Sequence, residues 1–163
     1  MKVDISQIAK VEGASLDISF CEEMNDLKQV AEGFCFTTPV SFEGRIVNTG
    51  GVLKLEGNLG LGYVSKCGRC LKDIPEHMEL DIREDFVQSD KTAEDAYTYT
   101  GNHVFIDKAL KDNVILNLPV RRICSDDCKG LCNICGTDLN IVSCDCTQET
   151  INPQMEALKK FFN

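Results

Sequence analysis

The most informative part of the sequence is a cysteine-rich stretch near the end of the chain, which reads Cys124-Ser-Asp-Asp-Cys128-Lys-Gly-Leu-Cys132-Asn-Ile-Cys135-Gly-Thr-Asp-Leu-Asn-Ile-Val-Ser-Cys144-Asp-Cys146. It contains six of the ten cysteines in a chain of 163 residues. Two more stand upstream in the sequence Cys67-Gly-Arg-Cys70. Cysteines at this density are held together either by disulfides or by a metal ion.

Two features favour a metal. The chain opens Met-Lys-Val-Asp-Ile-Ser-Gln, without a charged and then apolar leader, so we expect no export signal and a cytoplasmic location in which thiols stay reduced. Gly136, directly after Cys132-Asn-Ile-Cys135, favours a tight turn that aims both sulfurs at one ion. The alternatives are a disulfide scaffold or a redox dithiol, but a thioredoxin-like motif requires a preceding strand and a following helix, which the sequence does not predict here. We therefore expect Zn²⁺.

Spacing does not decide which cysteines share an ion. Cys132, Cys135, Cys144 and Cys146 form the most compact set, and Cys128 competes for one of the four places. The upstream pair is a second knuckle that could meet the tail at the same ion. One or two Zn²⁺ ions therefore fit the eight candidate ligands, which are Cys67, Cys70, Cys124, Cys128, Cys132, Cys135, Cys144 and Cys146.

The composition is that of a soluble globular protein. Hydrophobic residues make up 43% of the chain and charged residues 26%, and no apolar run is long enough to cross a bilayer. The formal net charge is -9 and the pI is about 4.7, which argues against a general nucleic-acid binder with a basic surface. The length allows one domain with a small appendage.

Alternating apolar and polar residues predict β-strands before the cysteine tail. The pattern is strongest over 39–64, where Asn48-Thr49-Gly50-Gly51 supplies a hairpin turn. Residues 78–83 alternate in the same way and predict the partner strand, so the upstream cysteine pair falls at a hairpin tip. Residues 84–102 are acidic and hydroxyl-rich, and we expect a solvated loop there.

Two helices are expected in the second half of the chain. Asp107 is placed to cap a helix that ends before Pro119, and Asn152 with Pro153 predicts the start of a short amphipathic helix at the C-terminus. Cys21 and Cys35 stand alone in apolar surroundings and are expected to be small buried side chains.

The expected fold class is α+β: an antiparallel β-rich body, as a sheet or a partly closed barrel, with a helix and a C-terminal cysteine-rich zinc module. Residues 1–118 are predicted to form the body with its Cys-x-x-Cys hairpin tip, acidic loop and helix. Residues 119–163 are predicted to form a zinc-binding tail with its short helix, packed on the body.

No catalytic constellation can be identified in the sequence. A catalytic zinc keeps an open coordination position, whereas four thiolates close the site. His77 and His103 have no metal-ligand spacing to a cysteine, and no nucleophile elbow is present. We therefore expect a binding protein rather than an enzyme.

Basic residues flank both groups of cysteines, and such residues make phosphate contacts in nucleic-acid complexes. They could equally offset the negative charge of a zinc ion bound by four thiolates. The RNA-binding candidates are Lys66, Arg69, Lys72, Arg121, Arg122 and Lys129.

The chain resembles the YceD family. The resemblance is carried by Cys67-Gly-Arg-Cys70-Leu71, by Leu118-Pro119, and by the tail in which Cys128-Lys-Gly-Leu-Cys132 precedes Cys135-Gly136 and Leu139-Asn140. Family members are bacterial and plastid proteins tied to accumulation of large-subunit (23S) ribosomal RNA. The resemblance implies a non-enzymatic zinc-binding factor in ribosome biogenesis, which supports synthesis, processing or accumulation of that RNA.

The partners that the resemblance implies are precursor large-subunit rRNA or early large-subunit particles, or a ribosomal protein, with no membrane and no small-molecule substrate. Two other functions fit the residues. One is a redox-responsive zinc switch, in which thiolates oxidise and release metal. The other is a protein-interaction adaptor that uses the acidic body to bind a basic partner.

Overall fold

The computed structural model describes residues 1–24, 27, 33–89 and 96–146. The elements, in chain order, are β1 (Lys2–Asp4), β2 (Ser15–Glu22), β3 (Phe34–Phe36), β4 (Val40–Asn48), β5 (Val52–Lys66), β6 (Asp73–Gln88), β7 (Tyr97–Tyr99), β8 (His103–Phe105) and the helix α1 (Asp107–Asn117).

The chain divides into two units, which are described separately. The body unit consists of Met1–Lys66 and Asp73–Arg122, and the cysteine unit consists of Cys67–Lys72 and Ile123–Asn163. All the strands and α1 belong to the body unit.

The body unit is built on an open sheet with the strand order β2-β4-β5-β6-β7, and β3 pairs with β5 as well. All these pairs are antiparallel except β6 with β7. The strands β1 and β8 form a separate two-stranded sheet. The α+β class is therefore confirmed, and of the two expected forms of the body it is the sheet, not the barrel.

The long hairpin β5–β6 shows how the alternating sequence produces the core. Leu53, Leu55, Leu59 and Leu61 recur mostly at every second position of β5, and all are buried because side chains alternate between the two faces of a strand. They pack in one core with β4, β6 and the buried face of α1, which consists of Ala109, Leu110 and Val114. The hairpin registers Lys66 opposite Asp73, so the six residues between β5 and β6 carry the upstream cysteine pair, as predicted.

Residues 84–102 are not a continuous loop, and this prediction was wrong. Strand β6 continues to Gln88, because Phe86 and Val87 are buried and register opposite Leu53 and Val52. The acidic residues Glu84 and Asp85 directly before this apolar pair led to the loop prediction. Strand β7 then pairs with β6 in parallel. Residues 90–95 lie outside the described ranges.

Three smaller expectations also change. Helix α1 begins at Asp107, but Ile106 occupies the cap position without a side-chain hydrogen bond, and the Asp107 carboxylate accepts a 3.0 Å bond from the N-terminal ammonium instead. Cys21 and Cys35 are exposed rather than buried, because each lies on the outward side of its strand. The predicted C-terminal helix after Pro153 lies outside the described residues.

Within the described ranges, we find no helix with the length and apolar character needed to span a membrane.

Candidate metal centres

The upstream cysteine pair forms a tight knuckle. The amide of Leu71 donates to the carbonyl of Cys67 at 3.0 Å, and the amide of Cys67 donates to the carbonyl of Lys72 at 2.8 Å. Inside this turn the amide of Arg69 points at Cys67 Sγ, 3.4 Å away. The turn requires a left-handed residue after the second cysteine, and Leu71 adopts it with a φ of 61°. A leucine in this conformation is unusual, so the residue type does not indicate the left-handed conformation at this position of the predicted hairpin tip.

The second knuckle repeats the same three hydrogen bonds. Gly136 donates to the carbonyl of Cys132 at 2.9 Å, Cys132 donates to the carbonyl of Thr137 at 2.8 Å, and the amide of Ile134 lies 3.4 Å from Cys132 Sγ. Gly136 takes the left-handed conformation at no steric cost, with a φ of 73°. Two distant segments of the chain thus form the same sulfur-presenting turn.

Eight cysteines gather into two groups of four. Cluster 1 consists of Cys67, Cys70, Cys124 and Cys128, and cluster 2 consists of Cys132, Cys135, Cys144 and Cys146. Within each cluster the four sulfurs all lie within 4.8 Å of one another. The upstream knuckle therefore joins the first two cysteines of the tail, and Cys128 does not take a place in the compact downstream set.

The sulfur separations fit a metal and do not fit disulfides. Cys67 and Cys128 are 3.9 Å apart at their sulfurs, and Cys70 and Cys124 are 3.6 Å apart. A tetrahedral ion with metal–sulfur bonds of about 2.3 Å separates its ligands by about 3.8 Å, whereas a disulfide bond is only about 2.05 Å long. All ten cysteines of the chain are free thiols. Each cluster can therefore hold one metal ion.

Cluster 1 is braced by groups that the sequence did not single out as structural. Arg69 donates through Nη1 to the carbonyls of Asp126 and Cys128, at 3.1 and 2.9 Å. The amide of Cys124 lies 3.4 Å from Cys67 Sγ, and Asn140 Nδ2 lies 3.5 Å from Cys128 Sγ. Such outer groups orient metal ligands and are part of the site.

Gly130 brings the two segments of cluster 1 close together. Its φ is +77°, and a Cβ at this position would lie 3.0 Å from the carbonyl oxygen of Arg69. The next residue, Leu131, donates its amide to that same oxygen at 3.0 Å. The glycine of Cys128-Lys-Gly-Leu-Cys132 is therefore required where the tail crosses the upstream knuckle.

Backbone and side-chain donors favour the thiolate form at one cysteine of each knuckle. The amides of Cys70 and Arg69 lower the pKa of Cys67 to about 6. In cluster 2 the hydroxyl and amide of Thr137 lower the pKa of Cys135 to about 6. These two sulfurs are ready to bind a cation at neutral pH.

Neighbouring cysteines have the opposite shift, because adjacent thiolates repel one another. The amide of Lys72 lowers the pKa of Cys70, but burial and the surrounding sulfurs outweigh it and raise that pKa to about 12. The sulfur of Cys135 raises the pKa of Cys146 to about 12. A metal ion must displace these protons in order to bind.

Three of the predicted RNA-binding residues already have partners in the structure. Arg122 donates through Nε to Glu76 at 2.8 Å, and Lys66 forms a 2.5 Å ion pair with Asp73. Arg69 donates hydrogen bonds to the carbonyls of Asp126 and Cys128. These contacts favour structural roles for the three cations.

The other three candidates form no ion pair with any described residue. Lys72 and Lys129 belong to the cysteine unit, and Arg121 belongs to the body unit. All three are exposed. They stay available for a partner, and their role as phosphate contacts stays a prediction.

The sequence profile described as "Large ribosomal RNA subunit accumulation protein YceD" matches residues 55–162. An uncharacterized protein of Mycobacterium leprae is 27% identical over 107 residues, which are 62% of this chain and 49% of the relative. "Large ribosomal RNA subunit accumulation protein YCED homolog 1, chloroplastic" is 31% identical in Zea mays over 94 residues, which are 57% of this chain and 28% of the relative.

The same-named protein of Arabidopsis thaliana is 43% identical over 44 residues, which are 27% of this chain and 14% of the relative. The chain thus spans half or less of the length of these relatives. No solved structure matches it. Because the profile match covers most of the chain and includes all eight clustered cysteines, the chain belongs to the YceD family.

Proposed function

We propose that each cysteine cluster binds one Zn²⁺ ion and that both ions are structural. The separations of the sulfurs support this, because they match those around a tetrahedral four-thiolate zinc. Four thiolates leave no coordination position for a substrate or an activated water. The protein is accordingly proposed to be a binding factor and not an enzyme.

The biological role that we propose is in ribosome biogenesis, in the cytoplasm of a bacterium. The protein supports synthesis, processing or accumulation of large-subunit (23S) rRNA, and its partner is precursor rRNA or an early large-subunit particle. The observation that carries this proposal is the family match over residues 55–162. Two relatives bear the words "large ribosomal RNA subunit accumulation" in their names.

The charges of the cysteine unit limit how RNA could be contacted. Its described residues include three cations and four aspartates, and each loaded cluster adds a charge of about -2. A broad phosphate-binding face is therefore not expected there. Direct contact is proposed through a few exposed cations, namely Lys72, Arg121 and Lys129, while a basic ribosomal protein would be attracted to the remaining surface.

Sedimentation of a lysate through a sucrose gradient tests the role. We expect the protein to migrate with immature large-subunit particles that contain precursor 23S rRNA. After nuclease treatment, a protein held by RNA moves to the top of the gradient, whereas one held by a ribosomal protein stays with that protein. Sedimentation only at the top, both before and after crosslinking, would refute the ribosomal role.

A charge-removal variant separates direct RNA contact from protein-mediated contact. Substituting glutamine at Lys72, Arg121 and Lys129 should weaken RNA binding and reduce the salt dependence of log K by about one per lost phosphate contact. Lys10→Gln is the matched control, since Lys10 is also exposed and lies far from both cysteine segments in sequence. Equal effects of the two changes would point to non-specific attraction.

A further inference from the structure

We propose that cluster 2 is a peroxide-reactive site, in which Cys135 forms a disulfide with a second cysteine of the cluster and zinc is released, whereas cluster 1 retains its zinc. The inference rests on the proposed zinc occupancy of both clusters. It assigns different chemistry to two sites that have the same four ligands, and the difference follows from their surroundings.

The first difference is burial. Three ligands of cluster 1 are almost inaccessible, with exposed fractions of 0% for Cys67, 7% for Cys70 and 4% for Cys128, and the fourth, Cys124, is exposed. In cluster 2 only Cys132 is buried to this extent, at 4%. Of its other ligands Cys135 is exposed, and the last two are half-buried. A hydroperoxide must reach a sulfur to oxidise it, and cluster 2 offers three accessible ligands where cluster 1 offers one, so cluster 2 is the more accessible target.

The second difference lies in the hydrogen bonds that hold each cluster in place. The knuckle of cluster 1 is held to the tail by the two carbonyl bonds of Arg69 and by the amide of Leu131. Its sulfurs accept bonds from Asn140 Nδ2 and the amide of Cys124 as well as from the knuckle itself. In the described part of the chain, the partners of the cluster 2 sulfurs outside the cluster are the amide of Ile134 and the hydroxyl and amide of Thr137, all from the 132–146 segment itself.

The third difference is the separation of the ligands along the sequence. All ligands of cluster 2 come from the 132–146 segment, whereas cluster 1 joins segments that are 54 residues apart between Cys70 and Cys124. Loss of zinc from cluster 2 therefore frees one short segment and leaves the link between the distant segments in place. An oxidised cluster 2 can also reassemble easily, because its ligands stay near one another along the chain.

The chemistry balances with a hydroperoxide as the only oxidant. The Cys135 thiolate attacks the terminal oxygen of the peroxide, the O–O bond breaks, and the leaving alkoxide or hydroxide takes a proton. The thiolate of a second cluster 2 cysteine then attacks the resulting sulfenic sulfur, which forms the S–S bond and expels hydroxide, and this takes a second proton. Two sulfurs lose two electrons to the peroxide, and zinc loses two of its four ligands. A dithiol reductant reverses the step.

The experiment measures zinc release from the full chain under limiting hydrogen peroxide. A chromogenic chelator follows the zinc, and differential alkylation with mass spectrometry maps the oxidised cysteines. Cys21→Ser with Cys35→Ser is the background, because both thiols are exposed and would consume peroxide. We expect about one equivalent of zinc to leave first, with a disulfide between Cys135 and another cluster 2 cysteine and with intact thiols in cluster 1. Dithiothreitol with added zinc should restore the starting state.

Thr137→Val provides a variant that keeps all eight ligands. The Thr137 hydroxyl lies 3.2 Å from Cys135 Sγ, and its loss makes a thiolate a stronger nucleophile. The fast phase of zinc release should therefore accelerate severalfold while the slow phase is unchanged. A role of Thr137 in folding alone would alter both phases or neither.

The outcomes separate this inference from the proposed function. Less than two zinc ions per chain before peroxide is added would contradict the proposed function. With two ions present, release of both in one phase, earlier oxidation of cluster 1, or a disulfide that does not include Cys135 would overturn the inference alone.

Discussion

Arg69 provides the sharpest test of how the cysteine unit is held together. The sequence presents it as a cation available for RNA, whereas in the structure its guanidinium donates to the carbonyls of Asp126 and Cys128. These bonds hold the tail against the upstream knuckle, on which two ligands of cluster 1 lie. Replacing Arg69 by methionine keeps most of the aliphatic stem and removes both donors, and Arg69→Lys keeps the charge but not the fork of donors.

The expected effect follows from the geometry. Each hydrogen bond contributes a net of about 0.5–1.5 kcal/mol, and exposure of the Arg69 side chain places the pair toward the lower end, at about 1–2 kcal/mol in total. Since 1.4 kcal/mol is a factor of ten, the zinc affinity of cluster 1 should fall by about five- to thirtyfold. The lysine variant should lose most of this as well.

Competition with a chelator of known affinity measures the loss, and RNA binding is measured on the same proteins. The structural role predicts that both variants bind zinc more weakly at cluster 1 and normally at cluster 2. A phosphate contact predicts instead that zinc binding is unchanged and that lysine preserves RNA binding. Unchanged zinc affinity at cluster 1 in Arg69→Met would refute a structural role of the Arg69 side chain.

Three further predictions concern the metal and the sheet. Chelation should abolish hydrogen-exchange protection in the 123–146 segment and leave the β5–β6 hairpin protected, because the free energy of metal binding is part of the folding free energy in such modules. Protection retained in the 123–146 segment after chelation would contradict this prediction. Zinc affinity at cluster 2 should rise by about a hundredfold per pH unit between about pH 7 and 8, because the pKa values of Cys144 and Cys146 are raised and both thiols must lose a proton to bind. Titration with a competing chelator at several pH values measures this slope, and an affinity that does not change with pH would contradict the prediction. Gly44→Ala should destabilise the body by about 2–3 kcal/mol in urea unfolding, because its Cβ would clash with the backbone carbonyl of Glu56 in β5. Gly60→Ala is the milder control, because its Cβ would meet the Ser41 hydroxyl at 3.0 Å. Equal losses of stability in the two variants would contradict this steric explanation.

Sequence patterns predicted the strands of the body well where the alternation of apolar and polar residues matched the alternation of buried and exposed side chains. Alternation along β4, β5 and β6 predicts those strands because each side chain in a strand points to the opposite face from its neighbour. The same rule failed at Phe86 and Val87, where two adjacent buried residues break the alternation. It also failed for Cys21 and Cys35, because an apolar neighbourhood in sequence does not tell which face of the strand a residue occupies.

That eight cysteines lie in knuckles and a tail suited to a metal could be predicted from the sequence, because this depends on residue type and short spacing. How they divide into two clusters, and which cations already have partners, depends on the tertiary structure. Cys67 and Cys124 are 57 residues apart, and their meeting depends on the hairpin register and on Gly130 at the crossing. The role of Arg69 depends on that same crossing, since its carbonyl partners come from the distant segment. Spacing along the chain indicates which residues can bind metal, but separation in space defines which of them can share one ion.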